Sequence, residues 1–436
     1  MRYVFLSCLI VAIQFSEAQE LWSLDQMINR VLSNNFDIQL SEIDQQVATN
    51  NNNPVAAGYL PRLSINADRN IAYSSARQEF LNGAVNEAEF ARNRSFDAGV
   101  LLNWTFFDGF KMFATDKKLD ELENSSTLRS KAQMEMSIYQ TAVNFYTLAS
   151  LQKLDSLYLE AISLSKYRIA FVQTKLENGA ANRIELEQAR LDLQADSSNL
   201  LSNRRSISEV SATLSVLLNI SPLVPIRVSD SENDISKSDD WAVFRQKMME
   251  QNTTLMLAKS EIAIAQLEEK ESKSRFYPQL SFYSTYNFAN QTNEVGFLRS
   301  NRSFGPSFGI SASWDILDNL TRVTQLKNSR LETEKASLNA QKDSLSIESE
   351  LRQMYENLTY SREKYALEKR NIEQITAIKQ ITEKALEFGS INPWELREIQ
   401  YSVINAKTRL LQSELEFRSA QLNISLLTGD FKNLLQ

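Results

Sequence analysis

Apolar residues recur at spacings of three and four along most of the chain, and at a spacing of two in four shorter stretches. The first period marks helices with one apolar stripe, and the second marks strands with one apolar side. Leu24 to about Val55 and Trp241 to about Arg275 read as polar-rich helices, stopped by Pro61 and Pro278. Past the first proline, Leu63, Ile65, Ala67, Ile71 and Tyr73 alternate with polar neighbours, and Arg69 is the exception on the apolar side. Phe96, Ala98, Val100, Leu102, Trp104 and Phe106 form a second alternating run. Leu280, Phe282, Ser284, Tyr286 and Phe288, and then Phe304, Phe308, Ile310, Ala312, Trp314 and Ile316, repeat the pair. Loops are expected over 75–93 and 291–303. Two proline-free segments follow, Gly109 to about Leu176 and Asn319 to about Phe388, each about 100 Å long as a helix. Helices around a compact core average about a dozen residues, so these need another architecture. Those from Arg183 to Leu218 and from Trp394 to Leu427 are about half as long, which suggests a stack of long hairpins.

The chain is written twice. Tyr59-Leu60-Pro61-Arg62-Leu63-Ser64 returns 217 positions later as Phe276-Tyr277-Pro278-Gln279-Leu280-Ser281. Trp104 with Asp108, Gly179 and Leu217 return 210 positions later as Trp314 with Asp318, Gly389 and Leu427. Two constant offsets separated by one change indicate homologous halves, the second lacking seven residues between proline and tryptophan. The first repeat is assigned to 19–228, with a β-hairpin at 61–107 and a tip turn at 177–182. The second is assigned to 241–428, with a β-hairpin at 278–317 and a tip turn at 388–393. A Ser- and Asp-rich linker, 229–240, joins them, and 429–436 is a tail. Asn182 with Glu185, and Asn392 with Pro393 and Glu395, read as capping boxes after the candidate left-handed terminators Gly179 and Gly389. Residues 1–18, with Arg2, an apolar run and small residues at Ser16 and Ala18, read as a signal peptide.

Composition narrows the chemistry. The chain has no histidine, and its single cysteine, Cys8, lies in the leader. Imidazole bases, cysteine nucleophiles and the usual zinc sites are therefore missing, and no Gly-rich phosphate loop accompanies the scattered carboxylates. Neither an enzyme nor a cofactor is expected. A net charge of -7 without a basic face argues against nucleic acid. Four strands cannot close a barrel with a usable bore, and lipid does not tolerate open sheet edges. They must pack as a soluble sandwich or be completed by other subunits. Strand length, and aromatic residues expected toward the ends of the apolar side, Tyr73, Trp104, Tyr286 and Trp314 among them, favour a bilayer crossing with aromatic belts at its borders. On that reading Phe96, Val100, Leu102, Trp104, Phe308, Ile310, Ala312 and Trp314 face lipid.

The repeat, the strand beginnings LPRLS and YPQLS, the strand exits WTFFDG and WDILDN, and the tip glycines together resemble the TolC family of outer-membrane efflux proteins. The resemblance spans the mature chain. It implies a mixed α/β membrane protein of a Gram-negative outer membrane. Three subunits would give four strands each to a 12-stranded β-barrel, which continues into a periplasmic α-barrel of long helices. It further implies the passive exit duct of a tripartite efflux pump or type I secretion system. Its partners would be outer-membrane lipid, a periplasmic adaptor, and an RND or ABC transporter of the inner membrane. Adaptor contact falls at the tips, Gly179, Ala181 and Gly389, and an acidic pore constriction at Glu395 and Glu398. The alternatives are a stand-alone porin, which leaves the long helices unexplained, and a soluble periplasmic adaptor or coiled coil, which leaves the strand hairpins unexplained.

Overall fold

The computed structural model describes residues 21–229, 240–295, 298–388, 390 and 393–431. The expected leader, most of the linker and the end of the tail lie outside these residues. The order of elements is β1 (Leu21–Trp22), α1 (Leu24–Asn34), α2 (Phe36–Asn51), α3 (Pro54–Ala57), β2 (Arg62–Glu79), β3 (Val85–Phe107), α4 (Lys111–Glu177) and α5 (Arg183–Leu217). Then follow β4 (Arg227–Val228), α6 (Trp241–Gln251), α7 (Thr253–Ser274), β5 (Gln279–Asn293), β6 (Ser300–Ser313), α8 (Thr321–Glu387) and α9 (Pro393–Thr428). The two long helices have 67 residues each.

Hydrogen bonds repeat along with the sequence. Asn35 breaks the expected opening helix in two: its Nδ2 donates to the Leu217 carbonyl at 3.0 Å, and its Oδ1 accepts from the amides of Asp37 and Ile38. Asn252, 217 positions on, divides α6 from α7 and donates to the Leu427 carbonyl at 2.9 Å. Both asparagines thus satisfy a last-turn carbonyl of another helix, and Asn35 also caps the amides that open α2.

The chain forms two compact units, and neither coincides with a sequence half. One comprises the described parts of Met1–Glu42, Ser130–Thr253 and Ser344–Gln436. Its core gathers Met27, Ile28 and Val31 of α1, Ala142, Phe145 and Leu148 of α4, Leu214 of α5 and Leu422 of α9, beside the parallel pair β1–β4. Phe145 and Leu148 are wholly buried, which places their transfer out of water among the main contributions to this unit.

The other unit comprises Ile43–Arg129 and Thr254–Asp343. It holds one antiparallel sheet in the order β2-β3-β5-β6, so the outer strands of the sheet come one from each half. The expected loop 75–93 is mostly ladder: pairing continues through Glu79↔Val85, and Asn82 and Gly83 lie in the tight turn. A bulge between Ser74 and Ala76 puts Phe90 at φ 56°. The second connection is shorter, with pairing as far as Thr292↔Ser300.

Candidate functional site

The register decides which side chains share a face of the sheet, because directly paired residues project on the same side. Leu63, Ile65 and Ala67 pair with Leu102, Val100 and Ala98, which pair in turn with Ser284, Tyr286 and Phe288. These continue to Phe308, Pro306 and Phe304 on β6. Trp104 pairs with Phe282 and Phe282 with Ile310, while Leu280 pairs with Ala312. One face is therefore apolar across all four strands. Leu63, Ile65, Phe304, Phe308 and Ile310, all on the outer strands, are 66–78% exposed. The opposite face carries Ser64, Asn66, Asp68, Asp97, Thr285, Asn287 and Ser307. Asp68 and Asp97 are directly paired there. Tyr283 lies flat against Gly309, where a side chain would collide with its ring.

Two expectations about aromatics change. Tyr286 lies midway along the apolar face, opposite Val100 and Pro306, and not at its border. Trp314 lies just past the end of β6. Its indole Nε1 donates to the Phe276 carbonyl at 3.2 Å, as Trp104 Nε1 donates to the Tyr59 carbonyl at 2.9 Å. These bonds tie each outgoing strand to the residues just before the preceding strand begins.

The passage from strand to long helix is equally repeated. Gly109 and Phe110 have φ 71° and 69°, and Asn319 and Leu320, 210 positions on, have φ 56° and 66°. Glycine and asparagine tolerate the left-handed region, whereas Phe110 and Leu320 are strained in it. Asp108 and Asp318 then accept the first helical amides, from Met112 and Arg322. A Cβ on Gly109 would overlap the Ser274 carbonyl, so two separate constraints hold this position to glycine.

At the α4–α5 turn Gly179 has φ 73° with open space around it, and the Ala180 amide bonds the Lys175 carbonyl at 2.8 Å. Asn182 Oδ1 accepts from the Glu185 amide at 2.9 Å, and Ala181 is partly exposed. Gly389 and Asn392 of the second turn lie outside the described residues. The Ser390 amide bonds the Ala385 carbonyl at 2.9 Å, the counterpart of the first turn's bond. Glu395 and Glu398 are exposed on α9. Arg397 between them turns inward: its Nη2 donates to Asp196 Oδ2 at 3.3 Å, and Ser165 Oγ donates to the same oxygen at 2.5 Å. Arg168 Nη1 donates to Asp192 at 2.5 Å. Burial lowers the Arg168 guanidinium from the ordinary arginine value, and Asp192 opposes the shift. Sequence reading missed this buried ionic group. Its trace was the spacing of Asp192 and Asp196 four apart, and of Ser165 and Arg168 three apart, each placing a pair on one helix face.

Comparison with known proteins places this geometry. Residues 27–219 and 244–430 both match the family model described as outer membrane efflux protein. The chain belongs to the outer membrane efflux protein family. This efflux protein shares its fold with the CmeC outer membrane channel of Campylobacter jejuni, at 16% identity, 93% coverage of this chain and 85% of that chain, and a TM-score of 0.78. It is also similar to the MtrE outer membrane channel of Neisseria gonorrhoeae in its open state, at 13% identity, coverages of 95% and 90%, and a TM-score of 0.74. VceC of Vibrio cholerae gives 13% identity, coverages of 93% and 96%, and a TM-score of 0.74. No curated protein matches the sequence. The efflux protein is thus an outer-membrane exit duct reaching into the periplasm. Among the described residues no helix is long and apolar enough to cross a membrane, and no group of three His, Cys, Asp or Glu could hold a metal.

Proposed function

We propose that three copies of this efflux protein close one 12-stranded barrel, with the apolar sheet face toward lipid and the Asp68–Asp97 face toward a water-filled bore. The observation that carries this reading is the four-stranded sheet with an exposed apolar face and both outer strands, β2 and β6, open. Lipid offers no partners for the free amides and carbonyls of such edges, so strands of neighbouring copies must supply them. The polar face then lines the bore with groups that keep water, which suits passage of hydrated cargo better than a defined binding pocket. The long helices α4 and α8 extend into the periplasm, and the tip turns at Gly179, Ala181 and Gly389 receive the adaptor, which couples the duct to an inner-membrane transporter. Glu395 and Glu398 face the axis as six carboxylates in the trimer. They attract cations and raise the barrier to anions.

The only cysteine, Cys8, lies in the expected leader, so paired cysteines introduced on β2 and β6 report the closure cleanly. Covalent trimers should form on oxidation in outer membranes. Only monomers across a scan of staggered pairs would exclude the shared barrel. Glu398→Gln should weaken cation selectivity in planar bilayers while leaving trimer yield unchanged, and unaltered selectivity would remove Glu398 from the constriction.

A further inference from the structure

Arg69 interrupts the apolar alternation of β2, and the register shows that it is not alone. Arg69 pairs with Phe96, Phe96 with Asn290, and Asn290 with Arg302, so both arginines lie in one row of the apolar face. Arg94 lies in the next row, between Ile71 and Thr292, and Arg92 in the row after it, opposite Tyr73. Arg92 is balanced by Glu294 at 3.6 Å. Arg69, Arg94 and Arg302 are exposed, and none of them forms an ion pair among the described residues. The Arg302 guanidinium lies 5.9 Å from the centre of the Phe288 ring, on the apolar side. Beside it Arg92, Arg94, Thr292, Asn293, Glu294 and Arg299 line a cleft of about 450 Å³.

Across the paired rows from Leu63 to Tyr73 every arginine is on the apolar face, while both aspartates, Asp68 and Asp97, are on the polar one. A solvated loop base would not sort its charges by face. The distance is also informative. Trp104 and Arg94 are ten positions apart on β3, about 33 Å along a strand and about 25 Å across a bilayer at the usual barrel tilt. That is the height of the apolar band of an outer-membrane barrel. Arg94 therefore stands where hydrocarbon gives way to headgroups, toward the end of the sheet away from the strand-to-helix passages. Arg69 and Arg302 lie one row, about 5 Å of height, inside it, within reach of the same boundary for a long side chain.

We propose that Arg69, Arg94 and Arg302 form a binding site for the phosphate groups of anionic lipid in the outer leaflet. The guanidinium fork matches phosphate oxygens bidentately, and its planar face tolerates the adjoining aromatic surface. The inference rests on the proposed lipid exposure of the apolar face, and the test separates the two. Detergent-purified full-length protein is titrated with bis-phosphorylated lipid A, with the same lipid freed of its phosphates, and with inorganic phosphate. Thermal unfolding of the oligomer and the amount of lipid retained are the readouts. Each basic residue at an anionic membrane surface strengthens attachment about fivefold, so Arg69→Gln, Arg94→Gln and Arg302→Gln together should weaken lipid A binding about a hundredfold. Arg94→Gln alone should weaken it about fivefold and serves if the triple variant does not assemble. Equal lipid A binding by variant and unaltered protein overturns the proposal, as does equal binding of the phosphate-free lipid. Stabilisation by inorganic phosphate to the same degree also overturns it, since the site would then recognise the free ion. A nitroxide at Val100 reports on the underlying reading: exposure to dissolved oxygen supports a lipid-facing sheet, and exposure to a water-soluble quencher refutes it whatever the arginine variants do.

Discussion

The helical unit around Phe145 and the sheet of the other unit contain similar kinds of apolar residue, yet they cover them differently. Phe145, Leu148 and Leu214 are sealed by other parts of the same chain. Phe308 and Ile310 of the sheet are 75% and 71% exposed among the described residues. Contiguous apolar surface of that extent marks a membrane or protein contact. One unit can thus be stabilised by its own chain, while the other is completed only in its surroundings.

Substitutions can break this contrast. The largest effect is expected from Phe145→Ala, which removes a wholly buried ring and should cost about 3–5 kcal/mol in denaturant unfolding of the helical unit. A loss below about 1 kcal/mol would show that the unit collapses to fill the space, and that its core is less sealed than the burial indicates. Leu102→Arg comes next. On the lipid-facing reading it should cost about 2–4 kcal/mol and lower the yield of assembled trimer. Asn103→Arg, one residue along and on the opposite face, should change conductance with little loss of trimer. Equal damage from both would reverse the assignment of faces.

Charge sharpens the comparison further. In the helical unit Asp196 is enclosed with Arg397 and Ser165, so Asp196→Asn leaves the guanidinium poorly matched and should cost about 1–3 kcal/mol. Guanidinium denaturation of the purified oligomer measures this, and a neutral result would mean that water reaches the group. In the sheet, Asp68 and Asp97 face each other without enclosure, and like charges in that position repel. Asp97→Asn should therefore stabilise the hairpin, by about 0.2–1 kcal/mol, seen as a small rise in the melting temperature of the oligomer. A fall would indicate that the pair holds a cation in the native protein.

Much of this was legible in the chain. The alternation from Leu63 and from Phe96 located the strands, and the offsets of 217 and 210 located their copies. Gly109 and Asn319, aligned by the repeat, share one left-handed conformation. The far parts of the first hairpin were not legible, because Ser75 to Glu79 has Ala76 as its single apolar residue and so no alternation. Its ladder rests on backbone hydrogen bonds, which leave no hydrophobic period. The breaks at Asn35 and Asn252 were missed as well, although the two asparagines are repeat equivalents. Each is fixed by a carbonyl about 180 positions away, Leu217 or Leu427, and a local pattern does not contain such a partner.

By itself the sequence determined the periods, the stops and the duplication, since these depend on neighbours within a turn or a strand. Only the tertiary structure decided that Asp192, Asp196, Arg168 and Arg397 meet, because their meeting requires the hairpin of α4 and α5 to be joined by α9 from about 200 positions away. It also decided that Arg69, Arg94 and Arg302 share one face, for alternation orders the residues within a strand while register alone aligns one strand with the next.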